Sequence, residues 1–375
     1  MENFVVSARK YRPGTFESVI GQEHITHTLK NAIKNNHIAH AFLFCGPRGV
    51  GKTTCARILA KTINCQNIGP DQEACNVCDS CKSFNDHASF NIYELDAASS
   101  NSVEDIRGLV DQVRYAPQGA KYKIYIIDEV HMLSAAAFNA FLKTLEEPPP
   151  YAKFILATTE RHKILPTILS RCQVFDFHRI TIEGAVTQLK SICQNEGITA
   201  EEEALHVIAQ KADGAMRDAL SIFDRIVSFS GKNITYKDAI VNLNILDYDY
   251  YFKAVDNMAS HNLADMLVLF DEVLTNGFDA QHFLSGFSEH VRNLMMCKHQ
   301  NTVKLLEVAP SIAQKFMTQA AACSQSLLLN ALNLLNKCEL EYKASKNPRL
   351  HVELSLMKLC HIQSVLDATA LKKKS

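Results

Sequence analysis

The sequence predicts an α/β fold with a parallel sheet, followed by two all-helical domains. The first observation is a G-x-x-x-x-G-K-[ST] motif at residues 46–53, which lies between an apolar run and a helical pattern. The second is another apolar run that ends in Asp128 and Glu129. The third is that strand-like runs stop near residue 178, beyond which only helical patterns occur. The expected domains cover residues 1–178, 179–242 and 243–375.

Composition describes an ordinary soluble protein. The chain has 375 residues, too many for one ordinary domain, and 47% of them are hydrophobic. No apolar run is long enough to cross a membrane, and the first residues lack the pattern of a signal peptide, so we expect a cytoplasmic protein with no membrane partner. The net charge of -1 does not favour nucleic acid. Any contact with DNA would need a local basic patch or helix N-termini.

The N-terminal segment is polar, stiffens at Pro13 and leads into a helix expected from about Glu23 to Lys34. Composition alone describes it as an N-terminal arm. A surface strap without a ligand would be the preferred interpretation if the phosphate-binding motif did not follow about thirty residues later.

The glycine-rich motif follows an expected strand over residues 41–45 and precedes an expected helix from Thr54 to Ile63. Glycines let the backbone curl so that successive N–H groups and the helix N-terminus point at one anion. Lys52 would reach the β- and γ-phosphates of a nucleotide, and Thr53 would offer its hydroxyl to Mg²⁺. A chance glycine-rich turn is disfavoured by the strand and helix on either side. The candidate phosphate-binding residues are Gly46, Pro47, Arg48, Gly49, Val50, Gly51, Lys52, Thr53 and Thr54.

Four cysteines come after the loop helix, with the spacing Cys65-x9-Cys75-x2-Cys78-x2-Cys81. Four thiolates can close a tetrahedral zinc shell, and a closed shell leaves no open position for chemistry, so we interpret the site as structural. The alternatives are a redox pair or four unrelated buried cysteines. The other cysteines are scattered among apolar positions and are expected in the core.

A second strand is expected over residues 92–96, followed by a helix with a capping box at Ser102 and Asp105. The next strand ends in Asp128 and Glu129. We assign Asp128 to the Mg²⁺ shell and Glu129 to a water that attacks the γ-phosphate. On its own, an apolar run that ends in two acidic residues usually marks a strand that runs into a solvated turn. When it follows a phosphate-binding loop, the loop and the acidic residues form a matched pair of motifs.

Two further strands are expected over residues 153–157 and 173–177, with a helix that ends at Glu146 before the first of them. If the sheet is doubly wound, residues 153–157 deliver Thr158 and Thr159 beside the nucleotide, because ligands bind at the carboxyl ends of parallel strands.

From Thr181 onward we expect helices and no strands. Thr199 with Glu202, and Thr235 with Asp238, predict capping boxes. The last third is rich in leucine, which indicates a helical bundle and contact with other subunits.

Together these stretches resemble the AAA+ ATPases, and more narrowly the gamma/tau family of the bacterial DNA polymerase III clamp loader, over nearly the whole chain. The opening Ala8-Arg9-Lys10-Tyr11-Arg12-Pro13, with Ile20-Gly21-Gln22, resembles the adenine-binding arm of that family. A tyrosine stands at Tyr11 where a tryptophan is common. The four-cysteine insertion is a feature that few other AAA+ proteins have. The candidate contacts to the base are Ala8, Arg12 and Pro13.

The resemblance implies roles for three further residues. Thr159 would be the first sensor of the γ-phosphate, and Arg217, in Gly214-x-x-Arg217, the second sensor on a lid domain. Arg171, in a Ser-Arg-Cys motif, would reach the ATP of a neighbouring subunit. The implied cofactors are ATP, Mg²⁺ and Zn²⁺.

The resemblance also implies an ATPase motor subunit within the DNA polymerase III holoenzyme, whose overall reaction is DNA-directed nucleotidyl transfer. Its partners would be the delta and delta-prime subunits and further gamma/tau copies in a hetero-pentamer, the sliding clamp, and primed DNA. ATP binding would order the subunits and open the clamp, and hydrolysis would close it on DNA. The third domain would form the collar of the pentamer. The chain stops at Ser375, shortly after that domain, as a short form of the family or a truncated chain would.

Two alternatives stay open. One is another AAA+ DNA motor, such as a branch-migration helicase, against which the four-cysteine insertion and the Ser-Arg-Cys motif argue. The other is a scaffold subunit of the same loader that does not hydrolyse ATP. Against it stand Lys52, Thr53, Asp128 and Glu129, all of which are present.

Overall fold

The computed structural model describes residues 5–100 and 102–372, with side chains up to residue 362. The outer ends of the expected first and third domains, residues 1–4 and 373–375, lie outside the described residues. The division of the chain into three domains stays a prediction. The chain divides into two compact units, Met1–Thr199 with Ile208–Ser228 and Ala200–Val207 with Phe229–Ser375.

The first unit is built on a five-stranded sheet in which every neighbouring pair of strands is parallel. Its strands are β1 (Ala41–Cys45), β2 (Ile92–Asp96), β3 (Lys123–Asp128), β4 (Ala152–Thr158) and β5 (Gln173–Asp176). Their order across the sheet is β2-β3-β4-β1-β5. Cys45 pairs with Thr158 and Asp96 with Asp128, so the carboxyl ends of β1 to β4 meet at one edge. The expected parallel sheet is confirmed.

Short connections and crossover helices join these strands. The helices up to residue 230 are α1 (Ser7–Lys10), α2 (Glu23–Lys34), α3 (Lys52–Ile63), α4 (Asp79–Asn85), α5 (Val103–Val113), α6 (Ala135–Glu146), α7 (Pro166–Leu169), α8 (Ile182–Glu196), α9 (Glu202–Lys211) and α10 (Met216–Ser230). Two 3₁₀ turns cover Val130–Met132 and Arg161–Lys163. Helix α3 begins two residues before its predicted start, directly at Lys52.

Both faces of the sheet are covered. In β1, Phe42 and Phe44 pack into a core with α2 and α3, whereas Leu43 and Cys45 pack on the opposite side with α5 and α6. This alternation follows the two-residue period of a strand, and burial on both faces explains why the strand reads as an uninterrupted apolar run.

The remaining helices lie in the second unit, which also contains residues 200–207. They are α11 (Tyr236–Leu243), α12 (Tyr248–Ala259), α13 (Leu263–Thr275), α14 (Ala280–Met296), α15 (Gln300–Val303), α16 (Pro310–Ala322), α17 (Gln325–Tyr342) and α18 (Pro348–Lys372). Their core contains Phe283, Phe287 and Leu328, which are fully buried. No helix in the described residues is long and apolar enough to cross a bilayer.

Local signals were correct at two helix starts and wrong at a third. Ser102 with Asp105 and Thr235 with Asp238 form complete capping boxes. Thr199 does not cap α9, because it lies in a two-residue strand, β6 (Thr199–Ala200), and α9 begins at Glu202. Strand β6 pairs with β7 (Asn233–Ile234), so the expectation of no strand after Thr181 was also wrong. Two residues are too few to show a period.

Candidate functional site

The glycine-rich loop leads from the end of β1 directly into α3. Gly46, Gly49 and Gly51 have positive φ angles of 146°, 77° and 105°. At Gly46 a Cβ atom would lie only 2.5 Å from the carbonyl oxygen of Phe177, so no side chain fits there. Because α3 begins at Lys52, the unpaired N–H groups of its first turn lie at the loop and favour an anion.

Lys52 points back over this loop. Its Nζ atom donates to the carbonyl oxygens of Gly46 at 2.8 Å and Pro47 at 2.6 Å. The residue is only 6% exposed. Burial lowers its pKa from the usual value, and the charges of Glu129 and Asp128 act in the opposite direction. A buried cation held by carbonyl oxygens beside a loop of N–H groups is suited to receive phosphate oxygens.

Thr53 and Asp128 meet at the sheet edge. The Thr53 Oγ1 atom donates to Asp128 Oδ2 at 2.5 Å, although the two residues come from α3 and β3. A hydroxyl and a carboxylate at this distance are hard oxygen donors of the kind that Mg²⁺ binds, so the residues present fit that ion. Asp96, at the end of the neighbouring strand, lies in the same pocket.

Glu129 follows β3 in a left-handed backbone conformation, with φ of 47°. The expected strand therefore ends one residue earlier, at Asp128. The Glu129 Oε2 atom accepts hydrogen bonds from Thr159 Oγ1 at 3.0 Å and from Thr159 N at 3.3 Å. A left-handed conformation is uncommon outside glycine and costs free energy, and such positions cluster at functional sites. Here it turns the Glu129 carboxylate towards the end of β4.

His131 is a site residue that the sequence reasoning missed. Its Nδ1 atom lies 3.0 Å from Thr158 Oγ1 and 3.4 Å from Glu129 Oε2. Its Nε2 atom lies 3.2 Å from Glu160 Oε1, and the side chain is 6% exposed. A polar residue two positions after the carboxylate pair was the available signal. The imidazole thus lies between the Glu129 and Glu160 carboxylates and is held by Thr158 at the end of β4.

Lys52, Thr53, Asp128 and Glu129 line a pocket of about 630 Å³, whereas His131 and Thr159 are not among the described residues that line it. The residues predicted to contact the nucleotide of the same chain line it, with three exceptions. Gly46 and Pro47 accept the hydrogen bonds of Lys52, and Thr159 reaches the site through its hydrogen bonds to Glu129. Its other end is more apolar and includes residues that the sequence reasoning did not single out as ligands. Those residues are Val6, Val19, Ile180, Gln188, Met216 and Leu220. They are far apart in the chain, and nothing in their local sequence separates them from ordinary core residues.

The N-terminal arm is tied to the helices after the sheet. Ser7 N donates to Asp224 Oδ2 at 2.7 Å, and the Ser7 hydroxyl donates to the same carboxylate. The Tyr11 hydroxyl donates to Glu196, whose Oε1 atom also lies 2.6 Å from Lys10 Nζ. Burial and the bond to Glu196 raise the pKa of Tyr11 to about 12. These ties keep the arm at the pocket.

The start of α10 meets the loop. Arg217 N donates to the carbonyl oxygen of Gly49 at 3.4 Å, and the Arg217 residue lines the pocket. Arg12 lines it as well. Burial, then the positive charges of Arg57 and Arg217, lower the pKa of Arg12. Two cations that line one pocket favour a ligand with negative charge.

Arg171 lies elsewhere, between α7 and β5, and is not among the described residues that line the pocket. Its guanidinium donates to Glu146 Oε1 and to the carbonyl oxygen of Thr167, each at 2.7 Å. The side chain is 32% exposed, so it is available on the surface of the first unit.

The four predicted zinc ligands come together. The Sγ atoms of Cys65, Cys75, Cys78 and Cys81 all lie within 4.8 Å of one another. Tetrahedral zinc with bonds of about 2.3 Å places its sulfur atoms roughly 3.8 Å apart, so this donor set fits zinc. Backbone N–H groups of Val77 and Cys78 lower the pKa of Cys75 to about 6, whereas burial raises the pKa values of Cys65 and Cys81.

Three family models match consecutive parts of the chain. "DNA polymerase III, delta subunit" matches residues 21–181, "DNA polymerase III clamp loader subunit, ATPase lid domain" matches residues 185–232, and "DNA polymerase III subunits gamma and tau domain III" matches residues 243–374. DNA polymerase III subunit gamma of Buchnera aphidicola is 35% identical over 366 residues, which are 96% of this chain and 98% of that relative. The chain belongs to the gamma/tau family of DNA polymerase III subunits.

This gamma/tau-family chain covers only part of other relatives. DNA polymerase III subunit tau of Bacillus subtilis is 42% identical over 96% of this chain, which spans 64% of that relative. The tau subunit of Escherichia coli is 42% identical over 75% of this chain and 44% of its own length.

Solved structures show weaker similarity to the gamma/tau-family chain. The RuvB Holliday junction branch migration motor of Thermotoga maritima is 19% identical, with a TM-score of 0.47 over 66% of this chain and 79% of its own. The clamp loader delta protein of Bacillus subtilis is 15% identical, with a TM-score of 0.38 over 89% of this chain and 99% of its own. Neither similarity bears on function.

Proposed function

We propose that this chain is the ATP-hydrolysing motor subunit of a DNA polymerase III clamp loader, which loads a sliding clamp onto primed DNA. The observation that carries the proposal is the convergence of Lys52, Thr53, Asp128 and Glu129 at one edge of the sheet, beside the glycine-rich loop. Membership in the gamma/tau family supports the same conclusion.

In this proposal Lys52 and the loop N–H groups bind the β- and γ-phosphates. Thr53 and Asp128 would hold Mg²⁺, which when bound neutralises charge on the phosphate oxygens. Glu129 accepts a proton from the attacking water, and Thr159 holds the Glu129 carboxylate in place through two hydrogen bonds. Thr159 is also proposed to sense the γ-phosphate, through its contact with Glu129.

The adenine base is proposed to lie at the apolar end of the pocket, against Val19, Ile20 and Met216. Ala8, Arg12 and Pro13 form the arm on that side, and Arg217 supplies the second sensor. Because Arg217 comes from α10 and its N–H contacts the loop at Gly49, nucleotide binding would fix α10 relative to the sheet.

Arg171 is proposed to act in trans on the ATP of a neighbouring subunit. Its position outside the pocket and its partly exposed side chain support this role. An arginine supplied in trans is worth about 10³ to 10⁵ in rate, so hydrolysis would depend on assembly. The proposed assembly is a hetero-pentamer with delta, delta-prime and further gamma/tau copies, held together by residues 243–375 as a collar. We propose the cytoplasm as its location.

The site supports attack of water on a γ-phosphate, and we assign no nucleotidyl transfer to this chain. The insertion over residues 65–81 is proposed to bind one structural zinc ion, since four cysteine ligands complete its shell.

The test is steady-state ATP hydrolysis by the purified chain, alone and then with its loader partners, sliding clamp and primed DNA. We expect a weak basal rate that rises sharply only when all components are present. A high rate that is indifferent to clamp and primer, with duplex unwinding, would favour a branch-migration motor. Failure to bind ATP would favour a scaffold subunit.

A further inference from the structure

One wall of the pocket comes from the segment over residues 12–20. Arg12 and Pro13 line the pocket at the start of this segment, and Val19 and Ile20 line it at the end. The residues between them do not line the pocket. Three of them are held by hydrogen bonds from the four-cysteine insertion and from α3.

Glu73, in that insertion, binds the backbone of this segment. Its Oε2 atom accepts from Phe16 N at 3.0 Å, and its Oε1 atom accepts from Glu17 N at 3.2 Å. Lys30 Nζ lies 2.8 Å from Glu73 Oε1, and the Glu73 side chain is only 16% exposed. One carboxylate therefore satisfies two backbone donors, three and two positions before Val19, and the Lys30 ammonium from α2 neutralises it. Hydrogen bonds to a charged acceptor are stronger than neutral ones.

A second tie reaches the same segment through Lys61. Its Nζ atom donates to the carbonyl oxygen of Gly14 at 3.0 Å and to Asn76 Oδ1 at 2.7 Å. Lys61 is 6% exposed, and a buried ammonium needs such acceptors. Lys61 is in α3, which begins at the phosphate-binding loop, so this ammonium links the segment, the insertion and the loop helix.

Glu73 and Asn76 lie on either side of Cys75, one of the four clustered cysteines. Cys75 N donates to Cys65 Sγ at 3.3 Å, and Gly69 N donates to the carbonyl oxygen of Glu73 at 2.9 Å. The insertion has a very small core of its own, in which Ala74 is the buried residue that is not a cysteine. A metal bound by the cysteines would close the loop and fix Glu73 and Asn76 in place.

We propose that Glu73 is a positioning residue through which the four-cysteine insertion fixes the base-side wall of the nucleotide pocket. The inference rests on the proposed nucleotide-binding function and adds to it a dependence of base recognition on the insertion. Without Glu73, the wall over residues 12–20 is ordered in a smaller fraction of molecules. The apparent dissociation constant rises in inverse proportion to that fraction.

The probes are Mg·ATP and Mg·tripolyphosphate, titrated calorimetrically against the full chain. Tripolyphosphate has no base, so it reports the phosphate-binding loop alone. In Glu73→Gln we expect the dissociation constant of ATP to rise about 3- to 10-fold. This is the rise expected if the wall is ordered in roughly a third to a tenth of the molecules. Binding of tripolyphosphate should change less than about twofold, because Lys52 and the loop are untouched. The control Asp71→Asn removes an exposed carboxylate of the same insertion. It should change neither the dissociation constant of ATP nor that of tripolyphosphate.

A second measurement connects the effect to the metal. Removal of zinc by a chelator, verified by metal analysis and with helicity checked by circular dichroism, should produce the same selective loss of ATP affinity. If Glu73→Gln weakened the binding of both probes equally, or weakened the binding of neither, the inference would be overturned while the proposed function stayed intact. An unchanged ATP affinity after zinc removal would also overturn it. If the unaltered chain bound neither probe, the proposed function itself would fall.

Discussion

Replacing Glu129 with glutamine tests the chemical step directly. The Oε2 atom of Glu129 accepts two hydrogen bonds from Thr159, at 3.0 and 3.3 Å. An amide oxygen can keep both acceptor positions with almost the same shape. The amide cannot accept a proton from water at neutral pH. The substitution therefore removes the proposed base while leaving the pocket and its phosphate-binding loop in place.

The expected loss of hydrolysis rate equals the contribution of a positioned general base, which is about 10²- to 10⁴-fold. Each factor of ten corresponds to about 1.4 kcal/mol of activation free energy, so the barrier should rise by about 3 to 5 kcal/mol. Binding of ATP should change by less than about threefold, since Lys52 and Thr53 make the proposed phosphate and Mg²⁺ contacts.

The assay is single-turnover hydrolysis of ATP in the assembled loader, with ATP binding measured separately on the same variant. Glu147→Gln is the matched control, because it removes one exposed carboxylate just beyond the end of α6 and should leave turnover unchanged. Turnover in Glu129→Gln within about threefold of the unaltered chain would refute the role of Glu129 as base. A large loss of ATP binding would instead place Glu129 in ligand binding.

Three further predictions concern other parts of the chain. Metal analysis should find one zinc ion per chain, which is lost when Cys75 and Cys78 are changed to serine; a metal-free native protein would contradict the zinc assignment. Arg171→Ala should keep ATP binding but lose about 10³-fold or more of the hydrolysis rate in the assembled loader, and unchanged turnover would refute action in trans. Burial lowers the pKa of His290 from 6.5 to about 4, so the unfolded chain takes up a proton there below pH 6.5 that the folded chain does not. Because of this group, the free energy of unfolding should fall by about 2 kcal/mol between pH 7 and 5. Chemical denaturation at the two pH values measures the fall. It should be absent in His290→Gln and unchanged in His282→Gln, which alters another histidine of the same helix.

Much of the first unit was predictable because its signals are local. The bounds of β1 at Ala41–Cys45 and of β2 at Ile92–Asp96 were correct, since each strand is a short run bounded by residues that break the pattern. The bounds of α2 at Glu23–Lys34 were also correct. Strand β1 is buried at every position, so no polar residue interrupts its apolar run.

Other elements were missed because tertiary contacts determine them. The left-handed backbone at Glu129 ends β3 one residue early, and no composition signal marks such a position in a non-glycine residue. The pairing of β6 with β7 joins two-residue strands that are far apart in sequence, and it placed Thr199 in a strand where a helix cap had been expected. Local propensity is a weak prior when distant pairing competes with it.

The candidate site divides in the same way. At its phosphate end, Lys52 and Thr53 come from one contiguous motif, and Asp128 ends a recognisable strand, so the sequence alone identified them. At the apolar end, Val19 and Leu220 come from distant stretches and have no motif. Their role is visible only after folding has brought them together.

The two ends of the pocket also differ in rigidity. The phosphate end stands on β1, which is fully buried, so its geometry is as rigid as the sheet. The apolar end is assembled by exposed or half-buried polar ties, among them Ser7 to Asp224 and Tyr11 to Glu196, which are individually weak. Parts held by few buried contacts open at the lowest free-energy cost. In the proposed function, binding at the apolar end is therefore the step that ordering of the arm can modulate, whereas the phosphate end keeps the geometry set by the buried strand β1.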